Sequence, residues 1–447
     1  MKYLFLEAND LGKWYENHSI HERFGDLGQG LLLTIAKDNG YQIDSLSLKQ
    51  MHSWAQFRMI VKPYDVLIMN VRSWRYRWAK RAAEIAKSAN PNIQVWCGGF
   101  HATVASQEME DVPQFDVIVR GEAEGTFLDL LKAGGSEQRV IDGHVHPWGK
   151  IDDLPFIDRS LLPRPPGDEW PLEGAGGWGP PGKTISMITG RMCPWHCSFC
   201  ANAEKNHFHR LRRRSVGNVI EELNYAHKAW GPATSIVFHD SEFLMQRAWL
   251  EEYLNRYPRE TPNWSWWASC RTDQILKFPE LTEALIRDTN WHILSIGIES
   301  GSDNVLKIMN KGVTAAQHEE AIELINRIGD NMEAQGMAAP IIFANVMLGI
   351  PGEEPEDAFA TFRLMSKIKR MLPSISLYTP YPGNVLGDEM IRQGRSLDSH
   401  KRYDRFPDEA KLLGINYQFY QDLLNGHYDR EVGTSVVAIR NAQGRAT

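Results

Sequence analysis

Three of the chain's five cysteines, Cys193, Cys197 and Cys200, fall within eight residues in a C-x3-C-x2-C spacing. Thiolates this close on one loop can hold three irons of a four-iron cubane. The fourth iron is then left without a protein ligand, whereas an electron-transfer cluster takes four cysteines. An open iron can bind and activate a small molecule. A structural zinc site is the competing reading, because His196, His207 and His209 are near enough in sequence to complete a Cys/His set. A chance grouping is the third. A disulfide framework is not expected from five cysteines in 447 residues with no secretory leader.

The totals set the frame around that loop. A length of 447 residues suggests two or three domains with well-buried cores. Hydrophobic and charged fractions of 43 % and 23 % are ordinary for a globular protein. A net charge of −7 gives no electrostatic reason to expect nucleic acid as a partner. No apolar run reaches the length of a membrane span. Sparse cysteines imply a reducing cytoplasm, which an oxygen-sensitive cluster also needs. Many of the 15 tryptophans, among them Trp54, Trp74, Trp78, Trp264, Trp266 and Trp267, sit in polar company and either line pockets or fill cores.

Residues 1–145 read as alternating strands and helices. Strand-like runs cover 2–6, 41–46, 65–70, 93–97 and 116–120, with helical spacing over 27–39, stopped at Gly40, and over 78–89. Such alternation argues for a doubly wound, Rossmann-like parallel sheet whose ligand crevice lies at the strands' C-terminal ends. Two glycine features fall there: Gly98-Gly99-Phe100-His101-Ala102-Thr103 and Gly121-Glu122-Ala123-Glu124. Glycine at such a place permits a tight turn and close approach to a ligand, though a plain turn is the commoner reason for it. Residues 146–182 read as a linker, with a Pro- and Gly-rich run from Pro163 to Gly182. From Lys183 to Gly387 strands and helices alternate again, and the strand at 184–189 feeds the cysteine loop. Parallel-strand barrels put their active sites on that face. Residues 388–447 are polar and aromatic, with helical potential over 408–424.

The cysteine spacing, with Phe199 before its last member, resembles the signature of the radical S-adenosylmethionine (SAM) enzymes. Later stretches match the same pattern in order. Residues 235–243 (SIVFHDSEF) are similar to the family's DD-x-F stretch; the resemblance implies that Asp240 accepts from the SAM ammonium group, while the local reading is a helix N-cap. Residues 264–271 form a strand ending in Arg271, which resembles a residue near the SAM carboxylate; a surface ion pair is the plain alternative. The strand at 294–302 ends in Glu299, and a buried carboxylate needs a partner such as two ribose hydroxyls. Residues 341–353 resemble the strand, including Met347, whose apolar side chains cover adenine, and 376–383 resemble the sixth strand with its Y-x-P-x-P-G ending. The arginine run at 210–215 resembles the R-x-R-S segment after the cysteine loop and reads as a structural or cofactor-side patch.

Placed ahead of this motif, the two glycine stretches resemble the GG-x-H-x-T and GE-x-E segments of the cobalamin-binding radical SAM subfamily. The D-x-H-x-x-G loop that supplies a histidine under cobalt is missing, which implies cobalamin without histidine ligation or a domain that has lost its cofactor. Asn70, Ser73, Gly98, Gly99, Gly121 and Glu122 would then line the corrin. The resemblance covers nearly all of residues 1–385. It implies an α/β chain: an N-terminal Rossmann-like cobalamin domain (1–145), a linker (146–182), a partial (β/α)6 barrel (183–387) and a small closing segment (388–447). It further implies a 4Fe-4S cluster on Cys193, Cys197 and Cys200, with SAM held by Phe199, Asp240, Arg271, Glu299 and Met347. The expected activity is cobalamin-dependent methylation of an unactivated carbon, less often phosphorus, in a small metabolite or peptide. An external reductant such as flavodoxin or ferredoxin would supply the electron. Radical cyclisation, rearrangement or oxidation, as in magnesium-porphyrin cyclase relatives, is the first rival, and a zinc-stabilised binding protein the second.

Overall fold

The apolar run near the start of the chain forms β1 (Tyr3–Glu7), every residue of it buried. The computed structural model describes residues 1–12, 25–163, 183–191, 193–201, 211–231, 233–398, 403 and 410–442. β1 is flanked by β2 (Ile43–Ser47) and β3 (Val66–Asn70), and β4 (Gln94–Gly98), β5 (Val117–Arg120) and β6 (Val140–Asp142) extend the sheet. Its order is β2-β1-β3-β4-β5-β6, all parallel. Leu4, Leu6, Leu67, Met69 and Val95 pack on one face and Tyr3, Phe5, Val66, Ile68 and Trp96 on the other. Two apolar faces require helices on both sides, which is the doubly wound arrangement, with its switch point between β1 and β3. The helix Leu27–Asp38 starts at Asp26, whose carboxylate accepts from the Gln29 N–H. On the opposite face of the sheet the helix Tyr76–Ala89 begins two residues earlier than the spacing suggests.

The second sheet holds β7 (Lys183–Met187), β10 (Ala233–Phe238), β11 (Ser265–Cys270), β12 (Trp291–Glu299), β13 (Ile341–Leu348) and β14 (Met371–Leu377), parallel and in chain order. β7 and β14 stand at opposite edges, so the barrel is the open six-stranded kind expected. Alternate residues divide its two faces. Ile185, Ile236, Trp266, Leu294 and Ile342 face the surrounding helices, while Val237, Trp267, Ile293, Phe343 and Leu372 form a separate apolar cluster inside. Between β7 and β10 a short antiparallel hairpin joins β8 (Gly190–Arg191) to β9 (Arg212–Arg213). Tryptophan mostly serves the core: Trp266 and Trp291 stack at 4.6 Å, wholly buried.

The segment between the sheets stitches them together. Lys37 pairs with Asp158 at 2.6 Å, and Arg159 reaches the Ser186 carbonyl at 2.8 Å and Glu222 at 3.3 Å. Two short 3-10 turns, Ile151–Asp153 and Arg159–Leu161, lie in the expected linker; most of its Pro- and Gly-rich run, 164–182, is outside the described residues. Near the C-terminus the helix begins at Tyr417 rather than at 408, because Asn416 caps it; 408–409 are outside the described residues. Tyr420, Leu423, Val436 and Ile439 join the barrel's outer core. No helix among the described residues is long and apolar enough to cross a membrane.

Candidate active site

The cysteine loop grows from the C-terminal end of β7, and its stem is braced by Asp240 at the end of β10. Asp240 accepts from the Thr189 N–H at 2.9 Å and the Thr189 hydroxyl at 2.7 Å. Burial lifts its carboxyl above the usual range, with Arg213 and these hydrogen bonds pulling the other way. The carboxylate assigned to the SAM ammonium group by resemblance is therefore engaged with the loop's stem. Beyond the stem, backbone groups pin the loop from two directions. Ser198 N–H donates to the Met309 carbonyl at 2.8 Å, the Asn310 amide reaches the His196 carbonyl at 2.7 Å, and Leu386 N–H meets the Ser198 carbonyl at 2.8 Å. These bonds fix the loop without using the sulfurs, and none of Cys193, Cys197 and Cys200 is in a disulfide.

Arg271 lies against this loop, buried, which disposes of the surface ion pair. Its Nη1 is 3.8 Å from Cys197 Sγ, its plane lies 4.6 Å from the Trp195 ring, and Asp273 and the Lys311 carbonyl take its other donors at 2.8 and 2.7 Å. Lys311 then gives Nζ to Glu299 at 3.2 Å and lies 5.8 Å from the Phe199 ring. Glu299 ends β12 with φ of 62°. Gly297 makes room for the pair, since a Cβ there would sit 2.7 Å from Glu299 Oε1 and 2.8 Å from Lys311 Nζ. Met347 belongs to an apolar cluster with Val305, Met309 and Tyr378, against which Phe199 packs. Cys197, Phe199, Arg271, Glu299 and Met347 thus gather at the barrel mouth, joined by Lys311.

Sequence reasoning did not single out Glu242, two residues past Asp240. It is 1 % exposed; Oε1 accepts from Leu244 N–H at 2.8 Å, while Oε2 is buried with no hydrogen-bond partner among the described residues. Burial pushes its pKa to about 8. An orphaned carboxyl oxygen, near the Cys193 thiol and the Arg271 guanidinium, fits a ligand that carries its own positive charge. Among the described residues no three His, Cys, Asp or Glu side chains converge as a single-ion site requires. His207 and His209 lie outside the described residues. A cubane instead takes one thiolate at each of three corners.

At the first sheet's C-terminal edge, Gly99 has φ of 95°, and a Cβ there would fall 1.9 Å from Asn70 Oδ1. Asn70 donates to Asp26 at 2.8 Å. Ser73 Oγ is 3.1 Å from His101 Nδ1, and His101 is wholly buried between Tyr76 and Tyr403, 3.5 Å from Glu108. That histidine is a packing residue. Thr103 bonds both Gly99 O at 2.9 Å and Gly121 N–H at 2.8 Å, so the two glycine stretches interlock. Asn70, Ser73, Gly98, Gly99 and Gly121 share the crevice, but Glu122 turns away, to Arg191 at 3.2 Å and to Arg212. Beneath the edge Arg75 joins Glu7 at 3.0 Å and Asp26 at 3.3 Å, with Lys49 and Arg72 alongside. Burial alone would raise Glu7 and Asp26; these cations outweigh it and hold both below the usual carboxylate range. Just past β1, the buried Asn9 Nδ2 has no hydrogen-bond partner among the described residues, a donor that suits an amide-fringed ligand such as a corrin.

Residues 18–131 match the B12 binding domain and 187–365 the Radical SAM superfamily. An uncharacterized methyltransferase of Pyrococcus horikoshii is 28 % identical over 395 residues, covering 84 % of this chain and 81 % of that protein. The anaerobic magnesium-protoporphyrin IX monomethyl ester cyclase of Rubrivivax gelatinosus is 26 % identical over 70 % of this chain and 56 % of its own length. The bacteriochlorophyllide d C-12(1)-methyltransferase of Chlorobaculum tepidum is 24 % identical, covering 78 % and 71 %. The solved structure of OxsB, a cobalamin-dependent SAM radical enzyme, shares the fold at a TM-score of 0.59 and 15 % identity, over 97 % of this chain and 61 % of that one. The radical SAM domain calls for a 4Fe-4S cluster and SAM, and the B12 domain for cobalamin. One chain thus combines a B12 binding domain with a Radical SAM domain.

Proposed function

We propose that the enzyme transfers a methyl group to an unactivated carbon, less often to phosphorus, in a small metabolite or peptide. The observation that carries this reading is the meeting of the two ligand-bearing ends: Glu124, just beyond β5, is bonded at 2.6 Å to Arg191, two positions before Cys193. A corrin on one side and a cluster on the other would then share one substrate. When bound, the cluster supplies the electron that cleaves SAM to methionine and a 5′-deoxyadenosyl radical, and cobalamin carries the methyl group.

The chain's own residues set the stage. Cys193, Cys197 and Cys200 are the residues that would hold the cluster, which would leave it able to take SAM. Arg271, against Cys197, places fixed positive charge beside the cluster and its carboxylate-bearing ligand. Glu242 offers its orphaned oxygen to the SAM ammonium group, the part first assigned to Asp240. Glu299, held by Lys311, faces the ribose hydroxyls, and Met347 with Phe199 covers the adenine. The apolar lumen floor of Trp267, Ile293 and Phe343 keeps water from the reacting centre. Asn70, Ser73, Gly98, Gly99 and Gly121 form the floor under the corrin. The enzyme works in the reducing cytoplasm with a flavodoxin or ferredoxin as electron donor.

Methyl-labelled SAM tests the reading. Label in a product, together with 5′-deoxyadenosine and S-adenosylhomocysteine, supports methylation. The resemblance to the Rubrivivax cyclase favours a second reading, radical cyclisation or oxidation without methyl transfer. Deoxyadenosine formed with no S-adenosylhomocysteine would select it.

A further inference from the structure

Four charges bridge the two ligand-bearing ends. Glu122 and Glu124 follow β5, while Arg191 and Arg212 oppose each other across the β8–β9 hairpin. Arg191 gives Nη2 to Glu124 at 2.6 Å and Nη1 to Glu122 at 3.2 Å, and Arg212 also bonds Glu122. The Glu124 and Glu122 side chains are only 7 % and 12 % exposed, so these pairs are weakly screened by salt. A guanidinium held at two points by carboxylates fixes direction as well as distance. On the corrin side the series continues through Thr103, which ties Gly121 to Gly99. Across the hairpin it continues through Thr189, tied to Asp240. Hydrogen bonds and short runs of backbone therefore connect Gly99, in the crevice, to Cys193, the first cysteine of the loop.

We propose that Glu122 and Glu124 are positioning residues for the cysteine loop and not corrin contacts: with Arg191 and Arg212 they clasp the hairpin so that cobalt and cluster are held at one separation. This rests on the two-cofactor reading above. Losing either side of the clasp frees the β8–β9 hairpin to move relative to β5 while leaving the three thiols and the crevice residues intact.

The test uses the full chain, loaded anaerobically with cluster and cobalamin, as wild type, Glu124→Gln, Arg191→Gln and the exchanged pair Glu124→Arg with Arg191→Glu. Optical spectra give the content of each cofactor, and pulsed electron paramagnetic resonance gives the magnetic coupling between Co(II) and the reduced cluster. Each single variant is expected to keep both cofactors while its cobalt–cluster distance distribution broadens, and the exchanged pair to narrow it again. An unchanged distribution in both single variants overturns the proposal. So does loss of cobalamin from Glu124→Gln alone, which would make that glutamate a corrin contact. Should the glutamine variants fail to fold, Arg191→Lys and Glu124→Asp replace them, with the same broadening expected on a smaller scale. A wild type that takes up cluster but no cobalamin defeats the two-cofactor reading instead. The clasp is then read from the cluster spectrum: a line shape altered in Arg191→Gln and restored by exchange upholds it, and an unaltered one overturns it.

Discussion

The two crevices handle buried charge in opposite ways. Under the first sheet's edge, Glu7 and Asp26 are matched by Arg75, Arg72 and Lys49, so the protein compensates its own charges before any ligand arrives. At the barrel mouth Glu242 keeps an oxygen with no hydrogen-bond partner among the described residues, and Arg271 lies on a thiol rather than wholly on carboxylates. A self-compensated floor suits a large ligand recognised by shape and amide hydrogen bonds. An uncompensated rim suits a small zwitterion that brings an ammonium and a carboxylate. The difference teaches where each site should be sensitive: the first to steric change, the second to change of charge.

The largest expected effect is on the rim. Replacing Cys197 by Ala should abolish both the cluster's visible absorption and SAM cleavage, because two thiolates cannot hold a cubane open at one corner; iron analysis and deoxyadenosine assay check this. Next comes the crevice. Gly99→Ala forces a Cβ into Asn70 at a φ that favours glycine and should cost about 2–4 kcal/mol of stability. Cobalamin retention and the thermal midpoint should fall together, with SAM binding spared. If SAM binding fell equally, the two regions would not be separable as described.

Ligand-free Glu242 holds its proton below about pH 8, and an arriving ammonium group favours its charged form; Glu242→Gln keeps the shape but can never carry that charge. The KM for SAM should rise about tenfold, the worth of one charge-assisted hydrogen bond. An unchanged KM would return the ammonium group to Asp240 or to the backbone.

The smallest effect concerns pH. Glu353 is buried, accepts from Gly349 N–H at 2.6 Å and Tyr420 Oη at 2.7 Å, and has its pKa pushed to about 7 by burial. Its folded value lies above that of an unfolded glutamate, about 4.3. The folded state therefore holds the extra proton, and the stability this gives is complete below the unfolded value and lost as pH rises through 7. Glu242, pushed to about 8, acts in the same direction over a slightly higher window. The cofactor-free thermal midpoint should decline between pH 5 and 8, and Glu353→Gln should flatten that decline by about 2–4 °C. A midpoint that rises over this range would reverse the sign.

Much of this was legible along the chain because it is local. The cysteine spacing, the strands beside it and the glycines after β4 and β5 are consecutive residues, and two-residue alternation separates lumen from outer core in β12 and β13. The misses are tertiary. Lys311 meets Glu299 only because the turn after β12 folds back, and Arg191 meets Glu124 across 67 residues. No periodicity encodes which charges will face each other after two sheets dock. β6, three residues long at a sheet edge, carries too little apolar pattern to be seen. Asp240 was read for its charge, yet its burial at a strand end made it a brace for Thr189.

The most direct measurement is a cofactor count on protein purified without oxygen from cells supplied with iron and cobalamin. About four irons, four sulfides and one corrin per chain are expected, from the three-thiol cubane and the first sheet's crevice. Iron-free protein, or zinc bound in place of iron, would contradict the assignment of the cysteine loop and everything built on it.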